Sequence, residues 1–462
     1  MAESSTPAVF DVVILGGGSG GYACALRASQ LGLSVALIEK GKLGGTCLHN
    51  GCIPTKALLH SAEVADLARD SAQVGVKTKF QGIEIADVNK YKDSVVKRLY
   101  KGLQGLVKSR DITYITGDGR VTGPQTVTVG DQIVQGRNLV LATGSYPRTL
   151  PGLEIAGRIM TSDQALEMDW IPKSAIILGG GVIGVEFASV WRSFGVDVTI
   201  VEALPRLVPN EDAAASKAME RAFRKRKIKS KLGVRFASAV QDKSGVTVAL
   251  EDGTELQADI LLVAIGRGPN STDMGFEEAG VTVDRGWVIV NDRLQTSVPN
   301  TYAVGDVVPG LQLAHRGFAQ GIFVAEEIAG QAPDTIDEIG IPRVTYSHPE
   351  VASVGYTEAE AKEKFGADNI TAYEYNLGGN GKSQILGTTG FVKLVQVHDG
   401  PVVGLHLVGD RVGEQIGEAQ LIYNWEATPI DVAKLIHAHP TQNEAMGEAH
   451  LALAGKPLHA HA

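Results

Sequence analysis

The chain carries the same strand–glycine loop–helix–strand unit twice. Strand Asp11–Leu15 runs into Gly16-x-Gly18-x-x-Gly21, a helix follows over about Tyr22–Leu31, and strand Ser34–Glu39 ends on an acid 18 residues past the third glycine. The pattern returns as strand Ser174–Leu178, Gly179-x-Gly181-x-x-Gly184, a helix to Phe194, and strand Asp197–Glu202. Glu202 is again 18 residues past the third glycine. A lone GxGxxG is a weak signal, but two complete units with strand, helix and terminal acid are a strong one. The glycines let the loop turn and let backbone N–H groups approach a pyrophosphate at a helix N-terminus; the acid accepts from ribose hydroxyls. The repeat therefore predicts an α/β chain with two Rossmann-like dinucleotide-binding domains.

Bulk composition agrees. A length of 462 residues predicts about three domains. The hydrophobic share of 44% and the charged share of 21% suit a soluble chain with large cores. The 55 glycines are well above the roughly 7% average, and they cluster at loops rather than repeating with a short period. A net charge of −9 argues against nucleic acid as a partner. The N-terminal residues show no basic region followed by an apolar stretch, and no run approaches ~18–20 apolar residues. The expectation is a cytoplasmic protein with no membrane span.

Directly after the first unit comes LGGTCLHNGCIPTKALL, which holds Cys47 and Cys52. Cys24 is the one other cysteine, too few thiols for a four-cysteine zinc site or an extracellular disulfide framework. No metal site is expected. Residues five apart in a regular helix have Cα atoms roughly 8–9 Å apart, whereas disulfide Cα atoms lie ~4.4–6.8 Å apart. A bridge between these thiols requires the backbone across Leu48–Gly51 to leave the helix. Asn50 and Gly51 are residue types that tolerate this. Pro54 marks the first turn of a helix over Thr55–His60, so Cys52 sits where a helix N-terminus lowers a thiol pKa. Lys56 follows one turn later.

Between the units, Ser61–Arg110 reads mainly helical and Thr126–Val140 reads as strands. The stretches LVLATGSYPRTLPG and DILLVAIGRGPN read as paired crossings that bracket the second unit, so the second nucleotide domain is inserted into the first. NTYAVGDVVPG resumes the first domain, with Asp306 at a strand end. From about Pro342, VTYSHPEVASVG, GFVKLVQV and VVGLHLVG alternate like an antiparallel sheet with helices around it. The division is 1–148, 149–269, 270–341 and 342–462. The run Arg221–Lys231, with seven Lys or Arg in 11 residues, reads as a solvated helix face. The His/Ala-rich last four residues read as a frayed tail.

With these parts in place, the chain resembles the flavin-dependent pyridine-nucleotide disulfide oxidoreductases, and among them the branch that oxidises dihydrolipoamide. The resemblance covers roughly residues 9–455. It rests on GGTCLHNGCIPTKALL, the two units in order, ATG, AIGRGPN, YAVGD with LAHRGFAQG, and HAHPTQNEA. It implies FAD on Gly16, Gly18, Gly21, Glu39, Lys56, Thr143, Gly144, Asp306 and His315. It implies NAD on Gly179, Gly181, Gly184, Glu186, Glu202 and Gly266, with Lys56 and Glu186 as an ion pair. Cys47 becomes the thiol that exchanges with substrate and Cys52 the thiolate on the flavin side. His439 becomes the base, oriented by Glu444 and supplied by the second chain of a homodimer; His437 is structural. The third domain is then a dimerisation domain of α+β type. The implied partners are lipoyl-bearing proteins: the acyltransferase of a 2-oxoacid dehydrogenase complex, or the glycine-cleavage carrier. The nearest alternative is a glutathione-reductase-like enzyme using NAD(P)H on another small disulfide, against which Glu202 and CIPTKALL weigh. A mercuric-ion reductase calls for further cysteines, a soluble transhydrogenase needs no dithiol, and a non-catalytic FAD-binding subunit needs no base.

Overall fold

A computed structural model describes residues 9–460. The first eight residues, part of the stretch inspected for a leader, lie outside the described residues, as do the last two of the His/Ala-rich tail. The chain forms two compact units, one built from residues 9–57, 86–148 and 266–338, the other from 58–85, 149–265 and 339–460. The architecture is α/β, with two Rossmann-like sheets and a C-terminal α+β part.

In the first unit, strands Thr113–Thr116, Val35–Glu39, Val9–Leu15 and Gln132–Leu141 lie side by side in parallel, and Thr301–Ala303 adds to the last of them. Val12, Val13 and Ile14 are fully buried, which explains an apolar run without alternation: a parallel strand is covered on both faces. Helix Ser19–Gln30 packs against helix Ala314–Ile328 through glycine. A Cβ on Gly321 would stand 2.2 Å from the Gly20 carbonyl oxygen, so no larger residue permits this approach. Strand Thr301–Ala303 stops short of Asp306, which the sequence placed at a strand end. Gly305 takes φ +76 and opens a 3₁₀ turn over Gly305–Val307, its N–H bonded to the buried Gln320 side chain at 2.7 Å.

In the second unit, five parallel strands run in the order Lys229–Leu232, Asp197–Glu202, Ser174–Leu178, Ile260–Val263, Ile159–Thr161. The basic run is split: its first half ends helix Ala213–Lys225 and its second half is the edge strand Lys229–Leu232. Lysines on an exposed edge discourage pairing with other chains. The C-terminal sheet is antiparallel, ordered Arg343–Thr345, Glu350–Gly355, Val402–Gly409, Phe391–Val397, Ile370–Asn376. One face buries Ala352, Leu405, Leu407 and Leu394 under helices Val412–Asn424 and Glu444–Leu453. The opposite face carries a row of polar side chains in register: Arg343, Ser353, His406 and Lys393. Glu211 pairs with Arg343 at 3.3 Å, and Asp212 and Glu358 hold Lys393 at 2.8 and 2.7 Å. Buried charges are tolerated when paired in this way.

Two buried imidazoles make this unit sensitive to acid. His406 bonds the Tyr356 carbonyl through Nε2 at 2.9 Å, and His450 bonds the Met446 carbonyl through Nδ1 at 2.7 Å. Among the described residues, the other ring nitrogen of each has no partner. Burial pushes both below the usual histidine range, His450 to about 4. The unfolded chain takes up these protons near pH ~6.5, so the contribution is complete above that pH and drains away as pH falls toward 4. The urea midpoint is therefore expected to drop between about pH 7 and 5, with His450 supplying on the order of 3 kcal/mol at full shift. A His450→Gln variant with an undiminished drop would exclude this imidazole as a source.

Candidate active site

The thiol segment shows why its residues are arranged as they are. Gly44 (φ +107) and Gly45 (φ +58) turn the chain into the short helix Gly45–His49. Asn50, at φ −131 and ψ 24, ends it, and a new helix, Cys52–Asp70, begins at Cys52 itself. The break falls inside Leu48–Gly51, where the thiol spacing demanded one. His49 pins the short helix, with Nε2 on the Leu43 carbonyl at 3.0 Å and its ring edge-on to Tyr100 at 5.0 Å.

Cys47 and Cys52 are both thiols in this structure. Cys47 is hydrogen-bonded to Cys52, and that bond, burial and the neighbouring sulfur's charge all push its pKa up, against the pull of the Lys56 cation. Tyr22 lies close by on the first helix, its ring 5.5 Å from Phe318. Burial, then the charges of Cys47 and Cys52, push its phenol up to about 12.

Beneath the thiols the two crossings meet. Strands Ser145–Pro147 and Arg267–Pro269 pair antiparallel, and the Thr143 hydroxyl donates to Asn270 O at 2.6 Å. Gly144 and Gly266 supply the turns at φ +75 and +107. Ser145 Oγ donates to Asp306 at 2.7 Å and accepts from Arg267 Nε at 2.7 Å; the same guanidinium reaches Thr46, the neighbour of Cys47, at 3.4 Å. Asp306 and the thiol helix are therefore tied through one serine and one arginine. His315 is exposed in the first turn of helix Ala314–Ile328. Its neighbour Arg316 is buried, paired with Glu338 at 2.8 Å and donating to the Pro309 carbonyl at 2.6 Å. Gln312 Nε2 is buried with no acceptor among the described residues, a donor left for a ligand.

The two glycine loops are near-copies. Gly16 and Gly179 take φ +107 and +106, and a Cβ on either would lie 2.2 Å from the carbonyl oxygen of the residue just past a neighbouring strand, Ala142 or Ala264. A Cβ on Gly21 or Gly184 would lie 1.8 or 2.0 Å from the Gly16 or Gly179 oxygen. Glu39 accepts from Gly17 N at 2.7 Å and Gly41 N at 2.6 Å; Glu202 accepts from Gly180 N at 2.6 Å and Leu204 N at 2.7 Å. Each carboxylate oxygen keeps a lone pair for a ribose hydroxyl. Above Gly181 nothing comes within 4 Å of a Cβ position, and above Gly18 only Gly45 Cα does, at 4.0 Å. Both loops thus leave an open cradle at a helix N-terminus.

In the second unit, Glu186 is buried on helix Val182–Ser193 and accepts from Tyr346 N at 2.9 Å. His439 Nδ1 meets Glu444 Oε1 at 2.8 Å, and the other oxygen of Glu444 takes Thr441 N at 2.7 Å. The His439 side chain is 77% exposed. Tyr22, Ser145 and Arg267 escaped the sequence reading. Arg267 lay inside the quoted AIGRGPN, where a cation in a glycine-rich crossing was the available signal.

The chain matches the pyridine nucleotide-disulphide oxidoreductase family over residues 10–321 and the dimerisation domain of the same family over residues 341–450. It is 42% identical to a dihydrolipoyl dehydrogenase of Bacillus subtilis, covering 97% of this chain and 99% of the relative. It is 40% identical to a mitochondrial dihydrolipoyl dehydrogenase of Arabidopsis thaliana, over 97% and 91%. Its fold matches the crystal structure of LpdA from Mycobacterium tuberculosis with a TM-score of 0.89 at 25% identity, over 96% and 99% of the two chains.

Proposed function

The chain belongs to the pyridine nucleotide-disulphide oxidoreductase family, and from that premise we propose that it oxidises protein-bound dihydrolipoamide to lipoamide and reduces NAD⁺ to NADH. It is an NAD-dependent flavoprotein disulfide oxidoreductase whose cofactors are FAD and NAD. The residues present fit both groups: each glycine loop leaves a cradle that a Cβ would fill, and Gln312 holds an unsatisfied donor beside His315. FAD sits on Gly16, Gly18, Gly21 and Glu39, with Lys56, Thr143, Gly144, Asp306 and His315 further along it. NAD sits on Gly179, Gly181, Gly184, Glu186, Glu202 and Gly266. Bound FAD supplies the two-electron acceptor that joins the thiol pair to NAD⁺.

The observation that carries the reading is the placement of the thiols: Cys47 lies in the short helix Gly45–His49 hydrogen-bonded to Cys52, which opens helix Cys52–Asp70. When the pair is oxidised, a substrate thiolate attacks Cys47 Sγ; the Cys47–Cys52 bond breaks and its electron pair leaves on Cys52. The second substrate thiol then displaces Cys47 and closes the lipoyl disulfide. His439 takes the substrate proton through Nε2, the nitrogen that Glu444 leaves open. In this reading His439 comes from a second copy, the chain is an obligate homodimer of the cytoplasm, and the dihydrolipoyl group arrives on an acyltransferase or a glycine-cleavage carrier. Residues 1–148 and 270–341 form the FAD domain, 149–269 the NAD domain and 342–462 the dimerisation domain. No described helix is long and apolar enough to cross a membrane.

The test is an assay of lipoamide and glutathione disulfide side by side, each with NADH and NADPH. Lipoamide with NADH is expected to dominate. Glu202 suits a free 2′-hydroxyl and repels a 2′-phosphate, so NADH should exceed NADPH in kcat/KM by about a hundredfold, equivalent to ~3 kcal/mol. Equal rates with the two nucleotides, or faster turnover of glutathione disulfide, would overturn the reading.

A further inference from the structure

His439 sits in a turn that is held from below by a single carboxylate. Glu418, on helix Val412–Asn424, places one oxygen 2.7 Å from His437 Nε2 and the other 2.5 Å from Asn443 Nδ2. These two residues flank the turn: His437 is two residues before His439, and Asn443 immediately precedes Glu444. The grip is built in. The His437 side chain is 13% exposed, and its ring lies so close to Gly447 that a Cβ there would stand 2.6 Å from Nδ1. Helix Glu444–Leu453 therefore needs glycine at this position to admit the ring. Three further bonds close the turn: Asn380 Nδ2 to Thr441 O at 3.0 Å, Gln442 Nε2 to Asp410 O at 2.7 Å, and the Thr441 hydroxyl to Ala438 O at 2.7 Å.

We propose that Glu418 is a positioning residue for His439, holding both ends of its turn through His437 and Asn443. This rests on the reading of His439 as the base. The Glu418 bond pushes His437 up, and the His437 charge in turn helps hold Glu444 down. The other titratable groups facing these residues are His450, which Glu418 and His437 both feel, and Tyr375, which feels Glu444 and Glu448. His450, pushed down to about 4 by burial, is neutral near pH 7. Without Glu418 the turn loses its hold at both ends, and the Glu444–His439 pair that it carries is no longer fixed in place.

The experiment compares Glu418→Gln and His437→Gln with the parent holoenzyme, using His439→Gln as the reference. Dihydrolipoamide oxidation is followed alongside NADH-driven reduction of ferricyanide, which needs neither the thiols nor the base. Both variants are expected to lose about tenfold in kcat/KM for dihydrolipoamide, with ferricyanide reduction retained. Undiminished dihydrolipoamide turnover in both variants would overturn the proposal, as would a parallel loss of both activities, which marks a merely structural residue. If His439→Gln itself retains dihydrolipoamide turnover, the base assignment fails first and the two failures are told apart.

Discussion

Serine at Cys47 and serine at Cys52 are each expected to reduce dihydrolipoamide turnover to background, yet to leave two different flavoproteins. The exchange sequence needs both sulfurs, because the bond that the substrate breaks joins them. What separates the variants is where the negative charge rests. The hydrogen bond to Cys52, burial and the charge of the Cys52 sulfur push the Cys47 thiol up. Cys52 opens helix Cys52–Asp70, where the unpaired N–H groups favour an anion, and Lys56 lies one turn further on. With Cys47 replaced, the remaining thiol is the one at the helix start. Its thiolate should give a long-wavelength charge-transfer band with bound FAD near neutral pH, without added reductant. With Cys52 replaced, the remaining thiol is the one in the short helix Gly45–His49, and no such band should form. A visible spectrum of each variant decides the matter. A band in Cys52→Ser and none in Cys47→Ser would reverse the roles assigned here. NADH-driven ferricyanide reduction should survive in both, since it bypasses the dithiol.

The glycine loops and the thiol break were legible because each is a local matter. A φ near +107 at Gly16 and Gly179 and the close approaches at Gly21 and Gly184 demand glycine whatever surrounds them, so a short motif suffices. The same holds for Asn50–Gly51, where disulfide reach and helix rise disagree over five residues. The alternation in the C-terminal sheet was legible for a similar reason, since its period of two is written along each strand. The supports of the site were not legible, because they join segments far apart in the chain. Ser145 gains its place from Asp306 and Arg267, more than 120 residues away. Glu418 reads as one more polar residue of an amphipathic helix until the turn at His437–Asn443 folds onto it. The polar row of Arg343, Ser353, His406 and Lys393 interrupts four separate strands, and only their register shows that the interruptions coincide. Asp306 was misplaced at a strand end because YAVGD reads as a continuous apolar run. It is Gly305, with a left-handed φ and an N–H bonded to distant Gln320, that turns the chain first.

Substituting glutamine for His439 is expected to cost ~10²–10⁴-fold in kcat/KM for dihydrolipoamide, the usual share of a general base. In the proposed mechanism, Glu444 is what makes this imidazole a base. Burial works to raise the Glu444 pKa, but the Thr441 N–H and the bond to His439 outweigh it and hold the carboxyl below its usual range. An ionised Glu444 on Nδ1 fixes the tautomer that carries its proton there, which leaves Nε2 as the acceptor. Glu444→Gln should therefore lose less than His439→Gln, since it misorients the base without removing it. The His439 side chain is 77% exposed on one chain, and in the proposed homodimer it faces another copy. That arrangement has a signature no single-chain site imitates. Cys47→Ser and His439→Gln are each inactive alone. In a mixed dimer, the intact thiols of the His439→Gln chain meet the intact His439 of the Cys47→Ser chain, and one of the two sites is whole. Random reassociation of equal amounts then restores about a quarter of parental turnover, as two-fold symmetry requires. A base acting within its own chain restores none, because every chain in the mixture lacks one of the two groups.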